Sequence, residues 1–121
     1  MNMLNSVILE GVLDNDPVSV VNKNDNGLLE VDFQIAVKRY YKGQTDARVE
    51  EVSYFDVLTY GTMAETLVNT FKIKRGAGVR VVGRIKQNWY KDANGIDCSK
   101  VVVIAEHVEV KPNATNEHGG N

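Results

Sequence analysis

One feature limits the fold more than any other. The chain alternates apolar and polar residues at strand period almost throughout, and it breaks that alternation once, with a single helical stripe after Gly61. Leu29, Val31, Phe33, Ile35 and Val37 alternate with Glu30, Asp32, Gln34, Ala36 and Lys38, which makes 28–38 the clearest strand. Ser6–Asp14 reads as a first strand. Val7, Leu9 and Leu13 lie on one side and Ile8 and Val12 on the other, so it is covered on both faces or used at an interface. A short strand at 18–21 and a turn over Asn22–Gly27 follow it. Gly43–Glu50 reads as a hairpin loop. In the next strand, Glu51–Tyr60, Tyr54, Asp56, Leu58 and Tyr60 share one side and Phe55, Val57 and Thr59 the other. Thr62 and Glu65 have capping-box spacing, and Met63, Ala64, Leu67, Val68 and Phe71 form an apolar helical stripe. The helix is expected to end near Arg75-Gly76 with cations in its last turn. A long strand, an Asn-Gly turn over Lys91–Gly95 and a last strand, Ile96–Val110, complete the order. Long strands with one helix between the third and fourth describe an all-β domain of OB-fold type: a five-stranded Greek-key barrel with the helix at one end.

At 121 residues and 43% hydrophobic content, one domain with one modest core is expected, over 1–110, followed by a short disordered tail over 111–121. No stretch approaches the roughly 20 apolar residues of a membrane span, and the N-terminus lacks the basic region of a signal peptide. Cys98 is the single cysteine, which excludes an internal disulfide framework and fits a reducing compartment. With one cysteine and two histidines, no metal site or other cofactor is expected. No paired catalytic carboxylates, nucleophile–histidine arrangement or phosphate-binding glycine loop is present, so the chain does not read as an enzyme.

The net charge of −2 conceals an uneven distribution. Residues 1–36 carry six acids and one base, whereas 72–91 carry seven bases and no acid. In that basic stretch Arg80, Arg84, Lys86 and Tyr90 fall on one strand face, opposite Ile85 and Trp89. Cations beside an aromatic suit a single nucleic-acid strand, whose phosphates attract charge and whose bases stack on flat rings. A solvated strand face is the competing reading.

Four segments, NSVILEGVLDNDP, FQIAVKRYYKG, VSYFDVLTYGTMAETL and VRVVGRIKQNWYKDANG, occur in one order over roughly residues 5–110. Together they resemble the bacterial-type single-stranded DNA-binding protein family. The resemblance implies an OB-fold, a homotetramer or a dimer, wrapped single-stranded DNA, service in replication, recombination and repair, and a cytoplasmic, nucleoid-associated location. It assigns base stacking to Tyr41, Tyr54, Tyr60 and Tyr90. Strand parity sets Tyr41 with the core residues and Tyr40 with Lys38, so a bulge past Val37 is needed to turn Tyr41 outward, and Tyr40 is held in reserve. Phosphate neutralisation falls to Lys38, Arg39, Lys42, Lys74, Arg75, Arg84, Lys86 and Lys91. Trp89 either packs on the far side of its hairpin or adds a further stacking ring.

Three departures from the family pattern matter. Tyrosines stand where Trp or Phe is usual. Asp56 lies on the Tyr54/Tyr60 face, where it repels phosphate unless a cation pairs with it. The tail lacks an acidic tip, which leaves recruitment of replication and repair proteins without an obvious means. The alternatives are an accessory, primosomal-type OB protein acting through protein contacts, and an RNA-binding OB domain.

Overall fold

The computed structural model describes residues 2–22, 27–45 and 47–112. The expected turn residues 23–26 and the tail beyond Pro112 lie outside these. Six strands form one sheet: β1 (Val7–Leu13), β2 (Val18–Asn22), β3 (Leu28–Lys42), β4 (Arg48–Tyr60), β5 (Gly78–Lys91) and β6 (Asp97–Val110). The sheet order is β1-β5-β6-β4-β3-β2, and pairing of β1 with β3 at Val12–Ala36 and Leu13–Ile35 closes five of the strands into a barrel. The short second strand lies outside the ring, antiparallel to β3. β4 and β6 are parallel, through Val57–Val103 and Leu58–Ile104, and the other neighbours are antiparallel. This closed Greek-key arrangement is the OB-fold.

Alternation fills the barrel as its period requires. Val31, Phe33 and Ile35 of β3, Val57 of β4, Val79 and Val81 of β5, and Val103 and Ala105 of β6 all point inward and are buried. Thr59 is also buried, and its hydroxyl donates to the Val31 carbonyl oxygen at 2.9 Å, so no polar group is left unpaired there. β1 buries Leu13 and half-buries Val7 and Leu9, but its other side leaves Ile8 and Val12 exposed in the single chain.

Two expectations about the helix fail. It begins at Gly61, whose φ of 65° suits glycine, and no side-chain hydrogen bond caps its start, so the Thr62/Glu65 box does not form. Helix α1 covers only Gly61–Glu65 and passes into a π-helical segment, Thr66–Thr70. The wider turn alters the phase of the stripe. Ala64 and Leu67 still plug the barrel, but Phe71 turns outward, 53% exposed, and Ile73 takes the core position instead. The helical segment stops at Thr70, so Lys74 and Arg75 are loop residues rather than last-turn cations.

The strands β3 and β4 also run further than their alternation suggested. They pair without interruption from Glu30–Tyr60 to Lys42–Arg48, which shortens the expected 43–50 loop and projects a two-stranded hairpin beyond the barrel. β5 and β6 form a second projecting hairpin, turned by Asp92, whose Oδ1 accepts from the N–H groups of Asn94 and Ile96 at 2.8 and 2.9 Å.

Candidate nucleic-acid interface

Register fixes which side chains share the outer face of the sheet, because residues directly opposite one another in an antiparallel pair point the same way. Ala36 faces Tyr54, Gln34 faces Asp56 and Glu30 faces Tyr60, so these β3 residues share the face of Tyr54 and Tyr60. Asp56 reaches across to β6, where Lys100 Nζ lies 3.3 Å from its Oδ2, and Lys100 faces Asn88 of β5. The same face therefore carries Arg84, Lys86, Asn88 and Tyr90. Val102 and Ile104, directly opposite Lys86 and Arg84 on β6, are buried although they belong to the outer side.

Three of the four tyrosines assigned to stacking share this face: Tyr54 and Tyr90 are exposed and Tyr60 is half-buried. Tyr41 does not. The β3–β4 ladder has no bulge past Val37, and Tyr41 faces Val49 on the opposite side. Tyr40 faces Glu50 and shares the side of Tyr54. Both rings are about half exposed, because the hairpin has left the barrel and neither side of it is covered. Lys38 and Lys42 lie on Tyr40's side, Arg39 on Tyr41's.

Arg48 was not singled out from the sequence. Its guanidinium carbon stands 4.3 Å from the centre of the Tyr40 ring, a cation–π contact that holds the hairpin tip. Its place directly opposite Lys42 becomes legible only once the hairpin is known to extend that far.

Lys91 and Trp89 follow the opposite parity from Tyr90. Lys91 forms a 2.6 Å ion pair with Asp97. Trp89 is 65% exposed on the far side of the hairpin, near Ile85 and Val101 in the same row. Lys74 and Arg75 lie away from the tyrosines, in the loop after the helical segment, where the Arg75 N–H donates to Asp16 Oδ1 at 2.9 Å. Arg80 is held by Glu10, which also pairs with Lys111 at 2.9 Å. Hydrogen bonds from Lys111 and Arg80 keep the Glu10 carboxyl below its usual range.

Asp56 has the partner that its position demands. Besides Lys100, Gln34 Nε2 donates to its Oδ1 at 3.3 Å. Asp32 beside it is the less settled acid. Burial first, then a hydrogen bond and repulsion from Glu30, raise its pKa from 3.8 to about 7, and its Oδ1 is buried without a hydrogen-bond partner. The centre of the face thus carries three acids, Glu30, Asp32 and Asp56, against the one ammonium of Lys100, while further cations occupy its margins. Among the described residues, no group of three or more His, Cys, Asp or Glu is placed to hold a metal ion, and no helix is long and apolar enough to cross a membrane.

The single-strand binding protein family model matches residues 4–111. The chain belongs to that family. It is 40% identical over 109 residues to the single-stranded DNA-binding protein of Aquifex aeolicus, covering 89% of this chain and 70% of that one. With the single-stranded DNA-binding protein of Neisseria meningitidis serogroup B it shares 27% identity over 117 residues, 97% of this chain and 65% of the relative. The barrel superposes, with a TM-score of 0.76 and 23% identity, on a deletion mutant of the single-stranded DNA binding protein from Thermus aquaticus, covering 93% of this chain and 52% of that one. Membership places this chain among non-enzymatic DNA-binding proteins.

Proposed function

We propose that this chain binds single-stranded DNA without regard to sequence, as a cytoplasmic homotetramer serving replication, recombination and repair. The observation that carries the reading is the row formed by Tyr40, Tyr54, Tyr60 and Tyr90 on one outer face, with Lys38, Arg84 and Lys86 beside it. Every base has a π-face, so stacking on these rings tolerates any sequence, at about 1–3 kcal/mol per base. Lys38, Lys42, Arg84 and Lys86 meet the phosphates; each contact releases counterions, so binding weakens with salt. Arg39 and Tyr41 extend the contact to the other side of the β3–β4 hairpin. Duplex DNA is a poor ligand because its bases are already stacked inside the helix.

One barrel provides only a short path, and several copies lengthen it. The exposed Ile8 and Val12 on β1 support burial between copies. The test is fluorescence titration with poly-dT, poly-U and duplex DNA at two salt concentrations. Tight, salt-sensitive binding of poly-dT with weak duplex binding is expected. Equal affinity for duplex refutes the reading, and a marked preference for poly-U favours the RNA alternative. Tyr54→Ala and Tyr90→Ala should each weaken poly-dT binding and leave the oligomer intact.

A further inference from the structure

Five of the strands close on one another, and β2 stays outside the ring. It pairs with β3 alone, from Val18–Asp32 to Asn22–Leu28, and no strand among the described residues pairs with its other side. That side presents the N–H and C=O groups of alternate residues, a template for one more strand. Proteins commonly blunt such an edge with a charged side chain, a proline or a bulge. The segment Val18–Asn22 reads VSVVN, pairs in unbroken register and contains none of the three. Val18, Val20 and Val21 are all exposed.

The chemistry beside the edge selects what is added to it. Val18 is directly opposite Asp32 and Val20 opposite Glu30, so the two valines and the two acids share one outer face. Among the described residues no ion pair engages Glu30 or Asp32, because Lys100 is paired with Asp56. Lys72, Lys74 and Arg75 belong to a separate groove, to which β2 contributes no residue. A strand added at the open edge lies about 10 Å from β3, two strand spacings away. Valine side chains are short, so the stem of a lysine or arginine can lie across them and bring its charge to a carboxylate.

We infer that the open edge of β2 takes an added strand from a partner protein: an extended segment of alternating basic and apolar residues, whose main chain pairs with Val18–Asn22 and whose cations reach Glu30 and Asp32. Charge complementarity decides between occupants. Edge-to-edge pairing with a second copy of β2 brings the acids of both copies onto one face, like charge against like. A nucleic-acid strand is repelled by the same two carboxylates. An extended basic segment satisfies the backbone edge and the acids together, the mode of recognition in which main-chain bonds give affinity and alternate side chains give specificity. This goes beyond single-strand binding and uses none of the tyrosines.

The test titrates the whole chain with a labelled peptide of about six residues that alternates lysine and valine, the length of an ordinary strand. Measurements are made at pH 8, where the Asp32 carboxyl is ionised. The peptide should bind and should slow hydrogen exchange at alternate amides of β2. A glutamate–valine peptide should bind at least about tenfold more weakly, and so should the lysine–valine peptide N-methylated along its backbone, which keeps its charge and loses its donors. Glu30→Gln with Asp32→Asn should weaken binding by up to about thirtyfold, at up to about fivefold for each exposed ion pair. Val20→Lys places a cation on the edge and should abolish binding, with the oligomer unchanged in sedimentation and the fold intact in thermal melts. Equal binding of the N-methylated peptide reduces the site to non-specific charge attraction and overturns the proposal. So does protection that falls outside β2, or no peptide binding at all. A smaller oligomer on Val20→Lys overturns it in favour of a second copy at the edge. None of these outcomes depends on whether the chain binds single-stranded DNA.

Discussion

Lys100→Gln distinguishes a cation that serves a neighbouring acid from one that serves the nucleic acid. Lys100 Nζ lies 3.3 Å from Asp56 Oδ2, and both side chains are partly exposed, so the pair contributes at most about 1 kcal/mol to folding. Its effect on binding is larger in proportion. Without the ammonium, the Asp56 carboxylate stands unbalanced in the middle of the face, beside Asp32 and Glu30. A phosphate roughly 7 Å away, at an effective dielectric of about 40, is then repelled by about 1 kcal/mol, which is a fivefold loss of affinity. Asp56→Asn removes the same charge and should strengthen binding by a similar factor. The double variant should return to within about twofold of wild type, since the two local changes cancel. Anisotropy of a labelled oligothymidylate, measured for all four proteins over a salt series, supplies these numbers. A loss of tenfold or more on Lys100→Gln that Asp56→Asn does not restore would show that the ammonium bonds a phosphate directly, and the neutralising role would be wrong.

Asp32 makes a pH prediction. Its folded pKa is raised to about 7 from 3.8, so the native state binds more protons than the unfolded chain between those values, and the contribution to stability is lost as pH rises through 7. Asp32→Asn should therefore raise the melting temperature at pH 8, by the equivalent of about 1 kcal/mol after allowance for solvent screening, and much less at pH 5. The wild type should also bind oligothymidylate more tightly at pH 6 than at pH 8, and the variant should not. Gly83→Ala should destabilise the barrel by more than about 2 kcal/mol in thermal melts, because a Cβ there overlaps the Ile104 carbonyl oxygen and stands 3.1 Å from Ala105 Cα, both backbone atoms of β6. Arg48→Ala removes the cation over Tyr40 and should weaken oligothymidylate binding by about threefold to tenfold with little change in melting temperature.

The sequence was most readable where one period governs. Val31, Phe33 and Ile35 against Asp32 and Gln34, or Val79 and Val81 against Arg80, can be sorted into inside and outside without any partner strand, because successive side chains alternate. Element order then led to the barrel, since few closures place one helix in that gap. What stayed hidden depended on geometry that no period encodes. The π turn moved Phe71 out and Ile73 in, by changing the number of residues per turn inside one apolar stripe. The partner of Asp56 sits 44 positions along the chain and is brought to it by the parallel β4–β6 pairing, which the local pattern around Asp56 does not reveal. The two tyrosines at positions 40 and 41 show both effects. Parity alone places Tyr40 on the side of Lys38, and the unbroken ladder puts that side on the face of Tyr54, whereas the family resemblance pointed to Tyr41; the projecting hairpin exposes both rings.

The pairing of β1 has a bearing on how the chain is made. Only two of its residue pairs are with β3, whereas six are with β5, a strand that begins at Gly78. During synthesis from the N-terminus, the first strand to emerge must wait for more than half of the chain before its main neighbour exists, with Val7 and Leu9 uncovered meanwhile. Long-range closure of this kind slows folding and lengthens the exposure of a bare strand edge. Asn5 offers a late clamp: its side-chain amide donates to the Ile85 carbonyl at 2.8 Å and accepts from the Ile85 N–H at 3.0 Å, as a peptide group would. The barrel is thus secured at its beginning by one of the last parts of it to be translated.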